Sequence, residues 1–196
     1  MSEKSIYSLI KLADFKTVLG IDDRDDNLVT FCLKTATKAI EQYCKRHFLR
    51  EKHFEWNDYD GDLLIQLREY PVSRVLAVYL VGNGELLEPD FYNVIPECGT
   101  DYDLPFKLSL SRAIQRQTGI SSIKAVYWAG YSEGLIPADL SAACLELASW
   151  NMNRYKGRRV GMTGNVRGGG KDGEHFEPSM PLNVKQLLEP YRRKTI

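Results

Sequence analysis

Three histidines, four cysteines and one glycine-flanked lysine are the side chains from which this chain could build a reactive centre. A hydrolytic triad needs a histidine beside a nucleophile, and no Gly-x-Ser-x-Gly elbow accompanies His47, His53 or His175. Carboxylates are plentiful but scattered, and a glycosidase is defined by their separation, which spacing along the chain does not give. Gly168-Gly169-Gly170-Lys171 imitates the end of a phosphate-binding loop. However, Asn165 stands where the loop's first glycine belongs, and Asp172 follows Lys171 in place of Ser or Thr. The segment also follows a helical run, whereas a phosphate loop joins a strand to a helix. Cys44-Lys45-Arg46-His47 offers two metal ligands, yet no second pair at metal-site spacing accompanies it and no Cys-x-x-Cys occurs. Asp22, Asp23 and Asp25 could gather a divalent ion, but the run lacks the glycine and distal glutamate of a calcium loop. The same aspartates suit the positive end of a helix, where each contributes about 0.3–1 kcal/mol. The expectation is therefore no enzyme: no catalytic, cofactor-binding or metal-binding residue is assigned, and no cofactor.

One charged segment keeps a functional reading. Arg154, Lys156, Arg158, Arg159, Arg167 and Lys171 lie in a stretch with no acid among them. Residues 157–179 are rich in glycine and almost without large apolar side chains, so they cannot bury enough surface to offset their ordering entropy. Spaced arginines on flexible backbone can follow a phosphate backbone without reading bases. The same composition also fits a solvated loop.

The elements that must carry these residues are legible from periodicity. At 196 residues, 43% hydrophobic and 27% charged, the chain has ordinary globular composition and length for one substantial domain. Lys+Arg and Asp+Glu cancel at 26 each, so no global field draws it to nucleic acid or membrane. The N-terminus has no apolar signal core and no apolar run approaches the ~20 residues of a membrane span, which points to a cytoplasmic protein. Val29, Cys32, Ala36, Ala39, Ile40 and Tyr43 recur at helical spacing. They predict a helix over 25–45, after a shorter one over 12–19 capped by Gly20. From 48 to 128 the period changes to that of strands, with candidates at 53–56, 63–67, 74–81, 91–95, 106–110 and 123–128. Gly82-Asn83-Gly84 marks a tight turn. The run 74–81 is apolar on both faces, which predicts cover on both sides. Pro137 opens a third helix over 137–156 whose stripe is Leu140, Ala143, Cys144, Leu147 and Ala148. Cys32, Cys44 and Cys144 fall in these stripes and read as buried thiols. A short helix over 181–189, with Val184, Leu187 and Leu188 on one face, is marginal alone and must dock on its own domain or on a partner. The expected fold class is α+β: long helices that pack together, an inserted antiparallel β-region at about 48–128, the glycine-rich loop 157–179 and the C-terminal helix.

Four pieces, in this order, resemble the head–tail connector (head-completion or adaptor) proteins of long-tailed DNA phages and prophages. They are the helix pair joined through Leu19-Gly20-Ile21-Asp22 and the strand opener Tyr70-Pro71-Val72-Ser73-Arg74. Then come the joint Tyr127-Trp128-Ala129-Gly130-Tyr131 with Ile136-Pro137-Ala138-Asp139-Leu140, and the ending Leu187-Leu188-Glu189-Pro190-Tyr191-Arg192. The resemblance implies a single connector domain over 1–196, built on a helical-bundle core, that forms a homo-oligomeric ring, a dodecamer, beneath the capsid portal. Such a ring extends the DNA channel, touches DNA without sequence readout and receives the tail or a stopper protein. Its place is the virion neck, with assembly in the host cytoplasm and no membrane. Carried onto this chain, Arg158, Arg159, Arg167 and Lys171 become candidate channel or interface residues. Val184, Leu187, Leu188, Tyr191, Arg192 and Arg193 become candidate portal-docking residues. The alternative is a monomeric nucleic-acid-binding module that uses the basic glycine-rich loop.

Overall fold

The structure, a computed structural model, describes residues 8–59, 64–81, 84, 86–95, 107–111, 119–157 and 180–193. These hold four α-helices and two small antiparallel sheets of three strands each, so the fold is α+β. The chain divides into two compact units: residues 1–45 with 136–196, and residues 46–135. The second unit contains the expected β insertion and extends it at both ends.

The first unit is helical. Helix α1 (Leu12–Leu19) stops at Gly20, whose φ of 62° lets its N–H return to the Lys16 carbonyl. A single 3-10 turn (Asp23–Asp25) leads into α2 (Asp26–Cys44). The aspartates make no side-chain cap hydrogen bond; lysines hold them instead. Lys16 Nζ bonds Asp23 and Asp26, and Lys156 Nζ bonds Asp25. Val29, Cys32, Leu33, Ala36, Ile40 and Cys44 recur three or four apart and are buried. They face α3 (Ala138–Lys156), whose Leu140, Ala143, Cys144, Leu147, Ala148 and Met152 are buried in turn. Thr37 bridges the pair: its Oγ1 accepts from the Leu9 N–H and lies 3.6 Å from Cys144 Sγ. The three described cysteines are buried free thiols, as expected, and burial pushes Cys32 and Cys144 up to about 11. Among the described residues, no helix is long and apolar enough to cross a membrane.

The second unit stacks two sheets. One orders β1 (Glu51–Tyr59), β6 (Gly119–Ala129) and β3 (Val72–Leu80), with β6 in the centre. The other orders β2 (Leu64–Gln66), β5 (Lys107–Leu110) and β4 (Tyr92–Ile95). Their inner faces share a core that includes Ile65, Leu67, Val78, Leu80, Leu108, Leu110, Ile123, Ala125 and Tyr127. Here one expectation fails. Strand β3 is covered on one side only. Its register against β6 shifts between Val72 and Arg74 and again between Val75 and Ala77. Each shift inserts a residue, so Val72, Val75 and Val78 oppose Ala129, Tyr127 and Ala125 on the inner face. The run is indeed apolar on both faces, but only the inner face is covered; the outer one, where Leu76 and Val81 are exposed, is not.

The joint after β6 depends on Gly130. Its φ is 96°, and a Cβ there would sit 2.5 Å from the Leu49 carbonyl oxygen and 2.9 Å from Arg50 N. This close approach lets Gly130 N–H reach Pro71 O at 3.0 Å and Tyr131 N–H reach Phe48 O at 2.7 Å. The start and end of the unit are thereby laced together. Buried Arg46 completes the lacing. Its guanidinium stacks 3.5 Å from the centre of the Tyr70 ring and donates to the Tyr70 carbonyl.

Candidate assembly surfaces

Strand alternation decides what the larger sheet shows to solvent. On β1 the inward residues are Glu51, His53, Glu55 and Asn57, and the outward ones are Lys52, Phe54, Trp56 and Asp58. The inner face of this strand is thus polar and its outer face aromatic. Buried Glu55 makes that possible, because its carboxylate is fully engaged. It accepts from Tyr127 Oη at 3.1 Å, from the Arg68 N–H at 3.1 Å and from Asn57 Nδ2 at 3.1 Å. Burial first, and the Glu55 charge second, push the Tyr127 phenol far above its ordinary value.

The outer face leaves large apolar side chains without cover. Phe54 is 68% exposed and Trp56 48%, and Leu76 and Val81 are exposed beside them. Lys124 stands among them, with its ammonium 5.1 Å from the Trp56 ring centre and 5.9 Å from those of Phe54 and Tyr79. Arg50 lies over Trp128 in the same way, at 5.6 Å. Each such contact stabilises by about 0.5–1 kcal/mol where water still reaches it. The surface is a broad platform with fixed cations, and among the described residues it gathers no convergent acid, base or nucleophile. Clustered aromatic side chains rimmed by charge mark interaction faces on folded proteins. A smaller feature stands on the helical unit, where exposed Phe31 meets Tyr155 edge-on at 5.6 Å.

The residues singled out from sequence fall elsewhere. Arg158, Arg159, Arg167 and Lys171 lie outside the described residues. At the start of that segment, Arg154 stacks over Trp150 at 4.6 Å and Lys156 pairs with Asp25. Much of the C-terminal strip is packed on its own unit. Val184, Leu188 and Tyr191 are buried in the helical unit, on α4 (Leu182–Leu188) and the 3-10 turn after it (Glu189–Tyr191). Tyr191 Oη donates to Asp139 at 2.6 Å, and the Arg193 N–H bonds Cys44 O at 3.0 Å. The apolar face that a short helix must cover is covered by its own unit. Leu187 is half-buried; Arg192 is exposed, pairs loosely with Glu189 and lies over the Tyr43 ring. Sequence reasoning missed Phe54, Trp56, Tyr79 and Lys124. The signal was the alternation of Phe54-Glu55-Trp56, but hydrophobicity alone puts the aromatics inside.

The fold has solved counterparts. The chain is similar to a chain in the neck of the empty gene transfer agent (GTA) particle computed with C6 symmetry. Identity is 18%, TM-score 0.60, and the match covers 98% of this chain and 96% of that one. It is similar to a chain in the neck of the native GTA particle computed with C12 symmetry, at 18% identity and TM-score 0.57, covering 100% and 97%. A chain of the native GTA virion matches at 19% identity and TM-score 0.59, covering 100% and 97%. No protein-family model matches, and no match was found among curated proteins. The head–tail connector resemblance thus meets neck proteins of a phage-like particle at the level of fold.

Proposed function

We propose that this chain is a non-catalytic structural protein of the neck of a phage-like particle, acting as one subunit of a ring between head and tail. The observation that supports this most is the extent of the structural match: it runs through both units and leaves almost nothing of either chain over. The C6 and C12 symmetries named for the similar necks favour a cyclic assembly, and twelve copies is the reading we adopt.

A closed ring uses a heterologous contact, in which one patch of each subunit meets a different patch of the next. The Phe54–Trp56–Tyr79 platform is the first patch we assign, and the Phe31–Tyr155 edge is the second. The portal is the proposed partner on one side of the ring, and the tail or a stopper protein on the other. Exposed Arg192 and half-buried Leu187 and Arg193 are what the C-terminal segment could still offer the portal. DNA would pass through the ring without base readout. Arg158, Arg159, Arg167 and Lys171 supply positive charge for that passage on the strength of composition. The proposed location is the virion neck, reached by assembly in the host cytoplasm.

Light scattering and negative-stain microscopy of the purified protein, alone and with portal protein, test this reading. Rings, alone or on the portal, are expected. A particle that stays monomeric under both conditions and binds DNA with a steep salt dependence would overturn it in favour of the nucleic-acid-binding module.

A further inference from the structure

The residues just before and within β1 bring a metal-ligand set together. The sequence offers His47 only one partner, Cys44, but the fold uses different ones. Glu51 and His53 stand two apart on β1 and share a face, and the chain entering the strand carries His47 back over them. One ligand atom from each of His47, Glu51 and His53 lies within 4.8 Å of the others. Both imidazoles aim at the same carboxylate oxygen. His47 Nδ1 is 3.3 Å from Glu51 Oε1, and His53 Nε2 is 3.9 Å from it. His47 Nδ1 is closed off from solvent and makes no hydrogen bond.

The set is held from behind. The His47 peptide N–H donates to Glu69 Oε2 at 2.8 Å, which fixes the backbone that presents the ring. The two imidazoles stack with centres 5.6 Å apart and planes 21° from parallel. His53 packs 5.9 Å from the Tyr127 ring, and Tyr127 is itself bonded to buried Glu55. Such supporting contacts orient the ligands of metal sites.

We propose that His47, Glu51 and His53 form a binding site for a divalent transition-metal ion of the zinc class. Two imidazoles and a carboxylate suit Zn²⁺ better than Mg²⁺ or Ca²⁺, which take oxygen ligands. Bonds of about 2.0–2.2 Å place tetrahedral ligand atoms roughly 3.3 Å apart. The His47–Glu51 pair already has that separation, and the exposed Glu51 side chain is free to close on His53. The fourth position stays open to water or to a donor from a neighbouring molecule. A bound ion would pin the entry of β1 to the strand itself, beside the joint that Gly130 laces.

The test uses the untagged full chain, stripped with chelator and titrated with Zn²⁺ by calorimetry at neutral pH, then with Co²⁺ followed by visible absorption. One ion per chain is expected, with a cobalt spectrum free of thiolate charge transfer. His47→Ala, His53→Ala and Glu51→Gln should each weaken binding at least about tenfold. Cys98→Ser and His175→Ala should leave it unchanged. Should a histidine variant fail to fold, Glu51→Gln, at an exposed position, carries the comparison. No binding in roughly hundredfold metal excess overturns the proposal. So does binding that survives the paired His47→Ala/His53→Ala change, or binding that disappears with Cys98→Ser.

Discussion

The helical unit and the β unit solve the same problem differently. Each is built from elements with one apolar face. In the helical unit the stripes of α2 and α3 cover each other, and α4 lays Val184 and Leu188 into the same core. In the β unit the larger sheet covers its inner face with the second sheet and leaves Phe54 and Trp56 on the other side in solvent. A chain that buries even a two-turn C-terminal helix yet leaves two large aromatics open on a flat sheet shows where a partner surface is to be sought. The difference also teaches that a short apolar helix near the end of a chain can find its cover in its own unit. The terminal strip belongs to the core, and the platform lies in the middle of the chain.

The strongest way to break this comparison is at the joint. Gly130→Ala puts a methyl group 2.5 Å from a backbone oxygen at a φ that L side chains avoid. Neither strand can move without losing its pairing, so the β unit should lose about 3–5 kcal/mol. A urea melt followed by tryptophan fluorescence reads this, since Trp56 and Trp128 both belong to the β unit. A loss below about 1 kcal/mol would mean that the joint yields easily and that the lacing is unimportant.

Next comes the claim that the helical unit closes on itself. Leu147→Ala and Leu188→Ala each open a cavity at a side chain at most 3% exposed, and each should cost about 2–5 kcal/mol. Deleting residues 182–196 removes Val184, Leu188 and Tyr191 together, so the truncated chain should lose cooperative unfolding and bind a hydrophobic dye. A truncated chain that melts as sharply as the whole one would leave docking on a partner as the role of the terminal helix.

Much of this was legible in the sequence because helices announce themselves by period. Residues 12–19, 25–45 and 137–156 were bounded to within a residue or two by Gly20, the aspartate run and Pro137. Tertiary partners were not legible there. Val184, Leu187 and Leu188 read the same whether the cover is their own unit or a portal. In the β unit the period itself misled. One bulge, between Val75 and Ala77, shifts the phase of a β3 run whose outer face is apolar yet uncovered, and a hydrogen-bonded Glu55 lets β1 turn its polar face inward. Neither a bulge nor a buried network has a signature in a single strand, because each depends on the strand opposite. The His47–Glu51–His53 set is local in sequence, but it depends on the path of the chain entering β1, which carries the His47 ring back over the strand.

Tyr127 tests that buried network. Tyr127→Phe deprives Glu55 of a donor and the Glu69 N–H of its acceptor, and should cost about 1–3 kcal/mol. The sign of the pH effect follows from the raised phenol. Above the ordinary value of 10 the unfolded chain has lost this proton while the folded chain keeps it, so stability falls as pH rises past that point. Denaturant melts at pH 9 and above should show a steeper decline for the native chain than for Tyr127→Phe. Equal slopes would mean that Tyr127 does not keep its proton in the fold.

The platform should respond the other way round. Phe54→Ser with Trp56→Ser removes exposed apolar surface, so monomer stability should move by no more than about 1 kcal/mol. Assembly should fail. Light scattering with circular dichroism separates the two effects, and rings of normal size from the double variant would take the platform out of the assembly contact.

The smallest effect is expected at the charged surface of the helical unit. Lys16 bonds both Asp23 and Asp26, which raises its own pKa, and the hydrogen bond from Lys16 lowers that of Asp23. A lowered carboxyl contributes stability above its unfolded value of 3.8 and loses it as pH falls through the folded value. A raised lysine contributes below 10.5 and loses its share as pH rises through the higher folded value. The pair's contribution is therefore flat across neutral pH and fades only at the extremes. Asp23 is almost fully open to water, where salt screens the pair, and a flexible lysine, though its own side chain is largely covered, gives up entropy to hold one geometry. Asp23→Asn should shift the melting temperature less than any change above, and the shift should shrink further in molar salt. A large, salt-resistant loss would show that the helical unit relies on this surface pair as well as on its core, and the contrast between a self-closed core and an open sheet would have to be redrawn.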